Sequence, residues 1–297
     1  MKELIECVPN ISEGRNAEVI EEVIENLRKT GVKLLDYSSD PDHNRTVITF
    51  AGDKTSVKEG ALQVARDAVR LIDLRNHSGT HPRMGAVDVI PFIPINGVSI
   101  KDCIELSKEV GKLVAEELSL PVYLYAESAS CESRRLLPEI RKGEFEGFRE
   151  KIHDPSWAPD FGPKEIHPSA GVTAVGAREF LIAFNINLST KDIEVARKIA
   201  RSIRESSGGL KYIQAKEMAL EDKGCVQVSM NILNYKKAPI YRVFEIVKME
   251  ASRFGVGIIE SEIVGLMPMK AALESLAFYI QLPQLTDKQI IETKIYE

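Results

Sequence analysis

Apolar periodicity constrains this chain more than any other feature, because it runs twice through one order: strand, helix, strand, strand, helix, strand. The first pass opens with a short strand over residues 3–8, which ends in the turn-rich stretch Pro9 to Gly14. Asn16 caps a helix to about Thr30, with Val19, Ile20, Val23, Ile24 and Leu27 at three- and four-residue spacing and Gly31 at its end. Strands follow at Lys33 to Tyr37 and Thr46 to Ala51, joined by a polar loop, then a helix from Ser56 to Ile72 and a strand from Val87 to Ile93. The second pass has strands at Phe180 to Leu188, Tyr212 to Met218, Cys225 to Ile232 and Gly257 to Ile263, with helices at Ile193 to Glu205 and Ile240 to Phe254. Such an order builds a split βαβ unit, in which the first and third strands are neighbours.

A helix from Ile100 to Leu118 and a strand from Val122 to Tyr125 extend the first unit, and a helix from Met269 to Ile280 closes the second. From Arg141 to Arg178 the patterning disappears, and Pro155, Pro159, Pro163 and Pro168 with Trp157 mark a long irregular connection of the kind that is more often functional than idle. The expected class is therefore α/β (α+β): two ferredoxin-like βαββαβ subdomains with mixed or antiparallel sheets, over residues 1–178 and 179–297.

A length of 297 residues provides two proper cores, and a net charge of −5 gives no general attraction to nucleic acid or to an anionic membrane. Any anionic ligand must be held by a local basic cluster. Cys7, Cys103, Cys131 and Cys225 have no paired spacing, so they read as reduced thiols rather than as a disulfide framework or a zinc site. The N-terminus lacks the apolar core of a signal peptide and no apolar run is long enough to span a bilayer, which makes the cytoplasm the expected location.

Polar chemistry concentrates between His77 and Pro94, where two of the five histidines, Arg83 and Asp88 run into an apolar strand. Pro82 pushes His81 out of helical conformation, which weakens a shared metal site with His77 four residues earlier. No metal is expected. An imidazole titrates near neutrality, as a general base must. Residues alone leave His81 as either an acid–base catalyst or a hydrogen-bonded loop histidine, and Asp88 as either a buried partner or an outward strand residue. Three further loops are rich in polar residues: Asn10 to Gly14; Asp40, Asp42, His43, Asn44 and Arg45; and Gly162 to Gly171. Each alone is a solvated turn, but together with the central segment they could wall one cleft. The chain has no GxGxxG, P-loop or GxSxG pattern.

The motifs ECVPNISEG, NRTVITFAG, HPRMGAVDVIPFIP, PVYLYAESA and FGPKEIHPSAGVTAVGAREFLIAFNINL together resemble the glutamate formiminotransferase family, and the match spans nearly the whole chain. The resemblance implies transfer of a formimino group between N-formimino-L-glutamate and tetrahydrofolate, with the folate as co-substrate. It also implies two α/β subdomains with a ligand tunnel between them, a homodimer, and no cyclodeaminase part. His81 stands where the family's catalytic histidine stands. Asp40, with Ser39 and Asp42 as neighbours, is the nearest candidate for its acidic residue, because the loop before NRT differs in length. The family's folate stretch corresponds to Gly162, Pro163, Lys164, Glu165, Ile166, His167, Pro168, Ser169, Ala170 and Gly171.

Arg45, Arg83 and Arg178 could fork onto the carboxylates of glutamate or the folate tail, and Asn185 and Asn187, which share a strand face, could read the pterin amide edge. Asn10 and Asn44 complete the expected substrate contacts. Formyl transfer would use the same site. A non-catalytic small-molecule sensor is the alternative from another class.

Overall fold

The computed structural model describes residues 3–296, and the chain divides into two compact units, Met1–Arg178 and Glu179–Glu297. In the first unit three capped helices lie on one face of a sheet. Asn16 accepts the N–H groups of Glu18 and Val19 to start α1 (Ala17–Arg28), whose Ile20, Val23, Ile24 and Leu27 are buried. Asp53 caps α2 (Lys54–Leu71), and Ser99 with Asp102 forms a reciprocal capping box on α3 (Ile100–Leu118). Their apolar stripes meet Ile5, Ile48, Phe50, Ile90 and Phe92 in one core.

The sheet is seven-stranded: β1 (Leu4–Cys7), β2 (Asn10–Ile11), β3 (Lys33–Asp40), β4 (Arg45–Gly52), β5 (Val87–Asn96), β6 (Val122–Ala126) and β7 (Thr173–Ala177). β3 pairs with β4, and β4 with both β1 and β2, which also pair with β5. β7 then lies parallel between β5 and β6. Three expectations change here. Asn10 and Ile11 are strand rather than turn: Pro9 lacks an N–H and interrupts the ladder, but pairing resumes beyond it on both sides. β3 continues to Asp40, which shortens the polar loop to residues 41–44. The connection after Arg141 is not irregular throughout, because it contains a helix and β7, whose Thr-Ala-Val-Gly-Ala is buried on both faces and so shows no alternation.

At β5 the partners of Asn10 and Ile11 are Val89 and Val87, so Asp88 is the extra residue of a β-bulge. The bulge turns a carboxylate into the interior: Asp88 is fully buried, accepts the Met84 N–H at 2.8 Å and receives Arg141, whose Nε lies 2.8 Å away. Arg141 ends α4 (Leu137–Arg141), which with α5 (Glu144–Lys151) packs a second core of Met84, Val89, Tyr123, Phe148 and Ala174 on the other face of the sheet. Lys151 fastens the pair. Its ammonium donates to the carbonyls of Glu139, Ile140 and Lys142 at 2.7–3.1 Å and lies 3.8 Å from the centre of the Trp157 ring, and burial lowers its pKa to about 8.

The second unit has a four-stranded antiparallel sheet of β8 (Ile182–Leu188), β9 (Ile213–Leu220), β10 (Cys225–Ile232) and β11 (Ile258–Val264), in the order β11-β8-β10-β9. Helices α6 (Ile193–Ile203) and α7 (Ile240–Ser252) pack on Ile182, Phe184, Ile186, Val228 and Met230. Helices α8 (Met269–Tyr279) and α9 (Ile291–Tyr296) follow. Asn185 and Asn187 alternate with the core residues and therefore point to the opposite face.

Candidate active site

In β4 the side chains of Ile48 and Phe50 enter the helical core, so Arg45, Val47 and Thr49 face the other way. Cross-strand pairing puts Asp40 beside Arg45 and Asn10 beside Val47 on that same face. Three loops meet at its edge, and Asn44 joins them. It takes a left-handed conformation (φ 50°) that asparagine tolerates, and it is buried. Its Oδ1 accepts the Gly14 N–H at 2.9 Å, its Nδ2 donates to the Ser78 carbonyl at 3.0 Å, and its own carbonyl accepts from His77 Nε2 at 3.0 Å.

The segment leading into β5 is held from both sides. A Cβ on Gly79 would sit 2.5 Å from the His43 carbonyl, and one on Gly85 would sit 2.0 Å from the Val172 carbonyl, so both approaches require glycine. Thr80 N–H donates to the Asp42 carbonyl, and Ser12 donates through both backbone and hydroxyl to Ala86 and Gly85. Between these anchors lies His81, 8% exposed. Its ring centre lies 6.4 Å from that of His43, with an angle of 61° between the ring planes. His43 Nδ1 is 2.6 Å from Asp40 Oδ2, and Asp40 Oδ1 accepts the backbone N–H groups of Asp42 and His43. Partial burial acts to raise the Asp40 pKa, but the bonds from the His43 backbone and ring outweigh it and hold the carboxyl below its usual range.

The arginines are placed differently from one another. Arg83 is buried and bonded to Glu144 and Glu146 at 2.7–3.0 Å, and its Nε donates to His77 Nδ1 at 3.2 Å. Its guanidinium therefore fixes α5 to the His81 segment. His77, neutral with its proton on Nε2, is lowered in pKa chiefly by burial and further by the Arg83 charge. Arg45 lies near Asp40, Asp88 and Arg141, and its pKa is lowered by burial and by the Arg141 charge. Arg45 Nε is buried with no hydrogen-bond partner among the described residues, a donor that a substrate oxygen would satisfy. Arg178 bonds Tyr125 and lies near Glu6, whose pKa is raised by burial against the opposing pull of that arginine.

The stretch from Gly162 to Gly171 belongs to the same unit and reaches the His81 segment through its last residues. His167 and Gly171 exchange backbone bonds across a turn, His167 Nδ1 accepts the Ala170 N–H at 3.0 Å, and the Ala170 carbonyl accepts the Ala86 N–H at 2.9 Å. Burial lowers the His167 pKa. Pro163, Lys164 and Glu165 are exposed, Ile166 and Pro168 are half-buried or exposed neighbours of the turn, and Ser169 accepts from Leu74 N–H. Asn185 and Asn187 lie in the other unit, bonded to Glu262 and Glu260 at 3.2 and 2.8 Å, with Gln227 donating to Asn187.

Sequence reasoning gave His43 no role beyond a place in the polar loop, and it did not single out Arg141, Glu144 or Glu146. The spacing Asp40-Pro41-Asp42-His43 held a signal for the first, because an aspartate that accepts backbone N–H groups two and three residues on folds the chain back over itself. Among the described residues no group of three His, Cys, Asp or Glu could hold a metal ion, and no helix is long and apolar enough to cross a membrane.

Two family models match the chain, the formiminotransferase domain, N-terminal subdomain, over residues 4–178 and the formiminotransferase domain over residues 183–296. Glutamate formimidoyltransferase of Streptococcus pyogenes serotype M1 is 48% identical over 99% of both chains, and that of Thermoplasma acidophilum is 44% identical over 98% of this chain and 97% of its own. Formimidoyltransferase-cyclodeaminase of Rattus norvegicus is 48% identical over 94% of this chain, which covers 53% of that protein. With both units matched and nearly half of the aligned positions identical across whole chains, this chain belongs to the formiminotransferase family.

Proposed function

We infer that this chain is a glutamate formiminotransferase, moving a formimino group between N-formimino-L-glutamate and tetrahydrofolate. The observation that carries this is the 48% identity to a glutamate formimidoyltransferase over 99% of each chain. The strand order of each unit, with the first strand between the third and the fourth, fits a ferredoxin-like layout; in the first unit α4 and α5 cover the second sheet face over β5, β6 and β7, and a ligand would lie on the part of it that carries Arg45, Val47 and Thr49.

The reaction exchanges one nitrogen for another on the formimino carbon, so the attacking nitrogen must lose a proton and the departing one must gain it. His81 is the group assigned to that transfer, and a buried imidazole between two anchored loops is oriented before substrate arrives. The residues suit a reduced folate and a glutamate: the unpartnered Arg45 Nε and the exposed Lys164 are donors for carboxylates or the pterin carbonyl, and the Gly162 to Gly171 turn lies against the catalytic segment. A homodimer of cytoplasmic location accompanies this reading, and equilibrium sedimentation measures its subunit number.

Purified protein with formiminoglutamate and tetrahydrofolate is expected to yield glutamate and the formimino-folate, each identified by mass. A mixture that remains unconverted, or that converts only with the formyl analogue, rejects the assignment.

A further inference from the structure

We propose that His43, held by Asp40, is a second catalytic acid–base residue, so that each of the two nitrogens exchanged in the reaction has its own imidazole. The inference rests on the transferase reading above and on His81 as one of the two groups.

Four observations lead to it. The His43 and His81 ring centres are 6.4 Å apart, and the rings meet edge to face. Their loops are locked together by Thr80 N–H on the Asp42 carbonyl and by the close approach of Gly79 to the His43 carbonyl. Asp40 takes His43 Nδ1 at 2.6 Å, which fixes the ring with its proton on that nitrogen and leaves Nε2 as the exchanging atom. Finally, the environments differ: His81 is 8% exposed, whereas the His43 side chain is 34% exposed and can exchange protons with solvent.

The step balances as follows. The folate N5 adds to the amidinium carbon of formiminoglutamate, forming the N–C bond, while the C=N π pair moves to the imino nitrogen. His81 removes the N5 proton. The adduct then breaks its bond to the glutamate nitrogen, which keeps the bonding pair and takes a proton from protonated His43, as the remaining amino nitrogen restores C=N. One proton has left N5 and one has arrived on glutamate. The pair resets by passing a proton from His81 to His43, directly or through water. In the opposite direction the two roles exchange. Asp40 does not react: it orients the ring and faces the positive charge when His43 is protonated. A turn-stabilising Asp–His contact would have the same local geometry but would contribute nothing to proton transfer.

Chemical rescue separates the two. His43→Ala is expected to lower kcat at least about tenfold, with the KM for formiminoglutamate little changed, and added imidazole should restore turnover with saturation. His43→Gln, which can keep a hydrogen bond to Asp40, should be as slow as His43→Ala, and circular dichroism and folate binding of both should match wild type. Turnover of His43→Gln within about twofold of wild type overturns the proposal, as does a loss in His43→Ala that imidazole does not restore in a folded, folate-binding protein. His81→Ala inactive beside a normal His43→Gln leaves the transferase reading standing and removes only the second group. A wild-type enzyme without transfer removes both.

Discussion

His81 carries the sharpest consequence at the scale of single residues. Removing an imidazole that acts in the transition state lowers kcat by about a hundred-fold or more while leaving folate affinity nearly intact. His81→Ala is therefore expected to separate binding from chemistry, with titration calorimetry against folate read beside turnover, and near-normal turnover would return His81 to a loop role. His77→Ala should be milder in kcat, since its ring is engaged by Asn44 and Arg83. His77 also supplies a pH dependence. Its folded pKa lies below the ordinary value of 6.5, so the unfolded chain takes up the proton first as pH falls. The stability it contributes is complete above that ordinary value and is lost as pH drops through the folded one. The decline in Tm across the mildly acidic range should be shallower in His77→Gln, and a slope equal to wild type would contradict this.

Elements show where pattern suffices and where it fails. The helices α1, α2 and α3 were legible because their buried residues recur at helical spacing behind recognisable caps, Asn16, Asp53 and Ser99. β7 was not, since a strand buried on both faces gives no alternation, and its small residues are dictated by a neighbour: a Cβ on Gly176 would sit 2.3 Å from the Tyr125 carbonyl. The site divides in the same way. Its loops could be read from glycine, proline and asparagine, but the pairing of Asp40 with His43 and of Asp88 with Arg141 depends on a turn and on a bulge that no periodicity encodes. Asp88 is the test at this scale. Removing its charge leaves the Arg141 cation, 14% exposed, without its carboxylate, and breaking a buried pair of this kind costs about 3–5 kcal/mol. Asp88→Asn should lose roughly that much stability in urea unfolding. Because Asp88 also holds Met84 N–H, three residues after His81, kcat should fall with it. A stable, fully active Asp88→Asn would show the bulge to be dispensable.

For the whole molecule, the two units have separate hydrophobic cores, one built on a seven-stranded sheet and the other on a four-stranded one. The chain's single tryptophan, Trp157, belongs to the first unit. Indole emission is therefore an optical reporter of that unit, whereas far-ultraviolet dichroism registers both. If the units melt separately, the two signals will give different midpoints, and coincident curves would mean one cooperative transition. The reporter has a second use. Lys151 sits 3.8 Å from the ring centre with a pKa of about 8, so the nearer of the two cations over the indole is lost on mild alkalinisation, while Arg134 at 5.9 Å stays charged. Emission of the native enzyme should titrate with a midpoint near that value and become flat in Lys151→Met, turning the lysine that fastens α4 to α5 into a built-in fluorescent pH indicator.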